Sequence, residues 1–123
     1  MNYVYVMLGG AIGAVLRYGV AQLCSNVKLL AMPIGTIIVN LVGCFVLGML
    51  SALAEQHTNI SRNLVLMLTV GCCGAFTTFS TFSAETIKAL EAGNIWQATV
   101  YVLASVIFGF LLFWAGKSLL CAN

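Results

Sequence analysis

Three long stretches of this chain, 29–54, 63–84 and 92–116, contain no charged residue. A helix needs about 20 apolar residues to cross the roughly 30 Å hydrocarbon core of a bilayer, and each stretch is long enough. The charges are few: Arg17, Lys28, Glu55, Arg62, Glu85, Lys88, Glu91 and Lys117. A fourth apolar segment, from about Tyr3 to Cys24, also has the length, although Arg17 interrupts it. Only 7% of the residues are charged and 62% are hydrophobic, whereas soluble domains carry about 25% charged residues. A single soluble domain of 123 residues could not bury that much apolar side chain, so lipid must solvate the excess.

Inside lipid every backbone donor and acceptor must be paired within a helix or a closed barrel. A barrel would show alternating polarity in segments of about ten residues; these runs are continuously apolar. The expectation is an all-α, multi-pass membrane protein, with one domain spanning 1–123 and four transmembrane helices at about 3–24, 33–54, 63–90 and 95–117. Pro33 is placed at the first position of the second helix, where its missing N–H costs nothing. Glu55-Gln56-His57-Thr58-Asn59 is expected as a polar loop, and Glu91-Ala92-Gly93-Asn94 as a turn. The first segment is not expected to be a cleaved leader: no basic residues precede it, and Arg17 falls where the apolar region should be.

Polar groups at membrane depth are costly and often mark ion or substrate paths. The strongest such signal is Thr77-Thr78-Phe79-Ser80-Thr81-Phe82-Ser83, in which five of seven residues carry hydroxyls. Gly71-Cys72-Cys73-Gly74 lies just before it. Two readings compete: hydroxyls bonded back to their own helix, or a helix that breaks at mid-membrane and exposes backbone groups for an ion. Asn40 lies deep in the second helix with Thr36 one turn before it. It serves either to join helices or to donate hydrogen bonds to an anion in transit. Tyr101 and Ser105 share one face of the fourth helix, and Trp96 and Trp114 sit near its two ends as interfacial residues. Arg17 either snorkels to the interface or pairs with Glu85, which follows the hydroxyl run and is placed in a vestibule.

Other chemistries find no support. The spans carry no central carboxylate of the kind a proton-driven pump uses, and no catalytic constellation is present, so the chain is not read as an enzyme. The cysteines (Cys24, Cys44, Cys72, Cys73 and Cys121) form no CxxC pair, and His57 is the only histidine, so no side-chain metal site is expected. No basic cluster suited to nucleic acid is present. The twelve glycines, including Gly9 and Gly13 in a GxxxG pair, read mainly as close helix contacts.

The charges also bear on orientation. With the N-terminus cytoplasmic, Arg62 and Lys117 would lie inside while Lys28 and Lys88 lay outside. Excess Lys and Arg normally marks the inner face. Here the rule gives no firm instruction, so the chain is expected to insert both ways. Opposed molecules can close as a dimer about an axis in the membrane plane.

At this point the chain resembles the Fluc (CrcB) fluoride channel family. The resemblance rests on Gly9-Gly10-Ala11-Ile12-Gly13-Ala14-Val15-Leu16-Arg17-Tyr18, on Gly35-Thr36-Ile37-Ile38-Val39-Asn40, and on Gly74-Ala75-Phe76-Thr77-Thr78-Phe79-Ser80-Thr81-Phe82-Ser83. It implies an antiparallel, dual-topology homodimer with two narrow pores that export fluoride passively and lower its cytoplasmic level, giving fluoride resistance. It implies that Phe79 and Phe82 line the path with their ring edges and that Asn40 donates to the anion. Thr36, Thr78, Thr81, Tyr101 and Ser105 complete the expected pore set. It also implies a structural sodium ion at the dimer centre, bound by backbone carbonyls of a helix-three break at about Gly74 and Ala75. A small multidrug-resistance-type dimeric transporter is the alternative, but its acidic residue in helix one is missing here. A non-transporting membrane assembly subunit is the third class.

Overall fold

A computed structural model describes residues 2–29, 32–56 and 59–121. Helix α1 spans Asn2–Leu23. A minimal antiparallel hairpin follows, β1 (Lys28–Leu29) and β2 (Met32–Pro33), in the register Lys28 opposite Pro33 and Leu29 opposite Met32. Helix α2 covers Ile34–Gln56. The third span is composite: α3 (Arg62–Leu66), a π-helical stretch (Met67–Cys73), α4 (Gly74–Phe76), and then α5 (Phe79–Glu91). Helix α6 runs Ile95–Cys121. Among the described residues four segments, with Arg62–Glu91 as the third, are long and apolar enough to cross a membrane.

Several boundaries differ from expectation for physical reasons. Pro33 is not the first helical residue; it ends β2, and α2 begins at Ile34. Glu55 and Gln56 belong to α2 rather than to a loop. Lys117 donates to Glu55 Oε1 at 2.8 Å, and Gln56 Nε2 donates to the Leu120 carbonyl at 3.0 Å, so partners on α6 hold this last turn. His57 and Thr58 lie outside the described residues. Helix α5 closes at Gly93, whose φ of 79° suits only a residue without Cβ strain. The Gly93 amide donates to the Leu90 carbonyl and the Asn94 amide to the Ala89 carbonyl, which satisfies two carbonyls a helix end otherwise leaves free.

Two helix pairs make the scaffold. Helix α1 lies on the π-helical stretch: a Cβ on Gly9 would strike the Met67 carbonyl oxygen, and one on Gly13 that of Cys72. Helix α2 lies on α6 in the same manner, with Gly48 against the Phe113 carbonyl and Gly116 against that of Phe45. Lipid gives no hydrophobic drive for helix association, so backbone approach through small residues supplies dispersion energy instead. Among the described residues Val39 is the largest fully buried side chain, and many apolar residues of α1 and α6, such as Val15 and Phe110, face outward. That inversion suits a chain surrounded by hydrocarbon.

Candidate functional site

The third span changes character at Thr77 and Thr78. Helical geometry ends at Phe76; Thr77 has φ −76° and ψ 157°, Thr78 has φ −149° and ψ 118°, and α5 restarts at Phe79. The extended pair therefore lies beyond the expected position: Gly74 and Ala75 remain within α4. Two β-branched residues favour the extended backbone, and α2 supplies its hydrogen bonds. Asn40 Nδ2 donates to the Thr78 carbonyl at 3.0 Å, and the Thr78 amide donates to Asn40 Oδ1 at 2.8 Å. The side-chain amide thus pairs with one peptide unit as a neighbouring strand would. Gly43 makes room for this contact, because a Cβ there would collide with the Thr77 methyl.

The hydroxyl run divides between the two readings residue by residue. Thr77 Oγ1 donates to the Cys73 carbonyl at 3.0 Å and Ser83 Oγ to that of Phe79 at 2.9 Å, both simple bonds back to the preceding turn. Thr78 instead caps α5: its hydroxyl accepts from the Thr81 amide at 3.3 Å and donates to Thr81 Oγ1 at 3.0 Å, with Ser80 Oγ 3.4 Å away. Such a cap typically contributes about 1 kcal/mol. Thr78 is buried, 8% exposed, so its backbone and hydroxyl must find protein partners, and they do.

Along α5 an aromatic row leads from the interruption. The Phe79 and Phe82 ring centroids are 5.8 Å apart, and Phe82 and Tyr101 are 5.1 Å apart, both tilted. At its end sits Glu85, which accepts from Thr36 Oγ1 at 2.8 Å through Oε1 and from Tyr101 Oη at 2.5 Å through Oε2. Thr36, Glu85 and Tyr101 are thereby brought together from three helices. Of the two readings of Arg17, the ion pair with Glu85 does not form: among the described residues the ion pair is Lys117–Glu55. Hydroxyl donors satisfy a half-buried carboxylate without desolvating a second charge.

Arg17 lines a cavity of about 300 Å³ with Tyr18, Thr36, Thr78, Ser80 and Thr81. On the other side of Thr78, Asn40, Gly43, Cys44, Thr77 and Phe79 line a cavity of about 240 Å³. Thr78 therefore stands between two openings. Ser105 is not part of the aromatic row; it lines a third cavity with Cys44, Gly109, Phe110 and Phe113. Sequence reasoning named Thr77 in the hydroxyl run but left it out of the expected pore set, and it counted Gly43 only among the packing glycines. The signal available was Gly43 itself, one turn after Asn40 on the same helix face.

These features define a multi-pass membrane protein with a polar interruption pinned inside its third span. The match to other proteins is correspondingly specific. Residues 4–117 match the family described as CrcB-like protein, Camphor Resistance (CrcB), and the chain belongs to that family. It is 44% identical over 119 residues to a protein of Staphylococcus saprophyticus named fluoride-specific ion channel FluC 2, covering 97% of this chain and 96% of that one. A Dehalococcoides mccartyi protein named fluoride-specific ion channel FluC is 47% identical over 113 residues, 90% of this chain and 85% of the relative. One of the same name from Oceanobacillus iheyensis is 41% identical over 118 residues, covering 96% and 90%.

Proposed function

We propose that this chain is a fluoride-selective channel of the cell (inner) membrane, assembled as an antiparallel homodimer with two pores. The observation that carries the reading is the interruption at Thr77–Thr78, held by Asn40 and followed at once by Phe79 and Phe82. Fluoride is small and tightly hydrated, so it leaves water only where compact donors replace its shell. Asn40 spends one Nδ2 proton on Thr78 and keeps a second. The first amides of α5 have no partner within their own helix and sit at the positive end of its dipole. Ring edges of Phe79 and Phe82 carry positive partial charge. Further along, Thr36 and Tyr101 are hydroxyl donors already bound to Glu85, so an anion and this carboxylate compete for the same protons.

Phe79 is 79% exposed on the single chain, and a second copy covering it completes the lining in this reading. The near balance of Lys and Arg on the two sides supports opposed insertion. A sodium ion at the dimer centre fits the donor set. The Thr78 amide donates to Asn40 rather than to the Gly74 carbonyl, its partner in an unbroken α-helix, and Phe79, whose amide would reach Ala75, starts a new helix. Gly74 and Ala75 would hold the ion through neutral backbone oxygens, the ligand type a hard cation takes; bound there, it would lock the two interrupted spans together. Export needs no pump, since an inside-negative potential favours anion exit by about 2.3 kcal/mol per 100 mV.

The test is efflux from liposomes holding the purified protein. Fluoride is expected to leave far faster than chloride; equal release of both would end the selective-channel reading, and no release of either would favour an assembly subunit. Labelling a single cysteine at exposed Asn59 with an impermeant reagent in intact cells should reach about half of the molecules. Labelling of nearly all or nearly none would rule out the opposed dimer.

A further inference from the structure

A cavity of about 370 Å³ opens where the β1–β2 hairpin meets the end of α5 and the start of α6. Lys28, Glu85, Lys88, Asn94 and Gln97 line its polar part. Lys28 comes from β1, whereas Lys88 stands one turn beyond Glu85 on α5. Both lysines are exposed, and among the described residues neither forms an ion pair. Among the described residues Glu85 is the only acid on the wall, and its two oxygens already accept from Thr36 and Tyr101. Thr36 in turn lines the adjoining cavity of Arg17 and Thr81. Glu85 and Thr36 thus form the partition between a wide cavity with two unpaired ammonium groups and the polar approach to the interruption.

From this arrangement we infer that Lys28 and Lys88 form an anion-collecting site at the mouth of the conduction path. The inference rests on the channel reading above. Two cations against one carboxylate leave the cavity positive, and low-dielectric walls focus that field and raise the local anion concentration. The cavity is wide enough for an anion that keeps its water, so this site attracts monovalent anions without sorting them. Selection falls to the donors further in. The lysines offset the repulsion an entering anion meets from Glu85, and they do so by charge rather than by contact geometry.

A role in anchoring or orienting the chain at the interface makes a different forecast, because the collecting effect must vanish under salt screening. The Debye length falls from about 30 Å at 0.01 M to about 3 Å at 1 M. Fluoride efflux is measured at low fluoride concentration in liposomes, at low and at high concentrations of an impermeant salt. The proteins compared are the native chain, Lys28→Gln with Lys88→Gln, and Lys28→Arg with Lys88→Arg. At low salt the glutamine variant should lose flux on the order of tenfold; at high salt its rate should meet that of the native chain, and the arginine variant should behave as native at both. A glutamine variant with native flux at low salt overturns the inference while leaving the channel reading intact. An equal loss at both salts overturns it too and assigns the lysines to folding or orientation. No fluoride efflux from the native chain removes the channel reading and this inference together.

Discussion

The contact between α2 and α6 and the contact between α2 and the interrupted third span lie on the same helix and are built on opposite principles. At Gly48 and Gly116 the backbones of α2 and α6 touch, and the fit there is steric, the space left by a missing side chain. Near Asn40 the contact is a pair of hydrogen bonds to the Thr78 peptide, with Gly43 merely making space. Steric fit is indifferent to what passes nearby, so the first contact can only hold the scaffold. Hydrogen bonds are directional and leave spare donors, so the second can also meet an ion. A membrane protein of this size assigns stability to glycine and chemistry to the few polar groups, because a satisfied polar site gains little net stability while an unsatisfied one costs much.

The contrast is broken most directly at the scaffold. Gly48→Leu or Gly116→Leu should abolish the folded protein, since the added side chain meets a backbone carbonyl that cannot yield. Size-exclusion chromatography in detergent should show aggregate only, and a monodisperse variant would mean the two helices can part without loss. At the polar contact the expected outcome is different in kind. Asn40→Asp keeps the shape but replaces the donor that faces the Thr78 carbonyl with a carboxylate oxygen. It should cost about 1–3 kcal/mol in stability, leave an assembled protein, and nearly abolish fluoride flux. Native flux from an assembled Asn40→Asp protein would reduce Asn40 to a helix joint.

Finer comparisons follow along the aromatic row. Phe82→Ala should lower both thermal stability and flux, because Phe82 packs between Phe79 and Tyr101. Phe79→Ala should lower flux with much less effect on the melting of the single chain, since that ring is exposed there. Equal destabilisation by the two substitutions would show that Phe79 is held by contacts beyond those within one chain. Tyr101→Phe removes one of the two donors to Glu85 and should slow fluoride modestly, with a stability loss of about 1 kcal/mol. The smallest effect belongs to the exposed ion pair: Lys117→Gln, which unpairs Glu55, should leave melting and flux unchanged within error, as exposed pairs contribute little.

Much of the site was legible in residue types. Uncharged runs announce spans, and a lone Asn or a hydroxyl run inside a span is conspicuous because lipid penalises it. What could not be read was the division of labour. Thr77 and Thr78 are identical side chains in adjacent positions, yet one bonds back to its own helix and the other caps the next. Both are extended; Asn40, 38 positions away, takes the Thr78 peptide as its partner and not that of Thr77. Likewise the sequence offered Glu85 one candidate partner, Arg17, and only the packing of α2 and α6 beside α5 gave it Thr36 and Tyr101 instead.

The sequence by itself therefore determined the solvent, the number and type of the spans, the small-residue faces, and the membership of the CrcB family. These follow from hydrophobic length and local spacing, which need no knowledge of neighbours. The tertiary structure alone decided where the third span opens, which peptide Asn40 holds, how Glu85 is satisfied, and which polar residues line each cavity. Those depend on donors meeting acceptors across helices. Inside hydrocarbon every such group must find a partner, but the order of residues along one chain does not say which partner stands close enough.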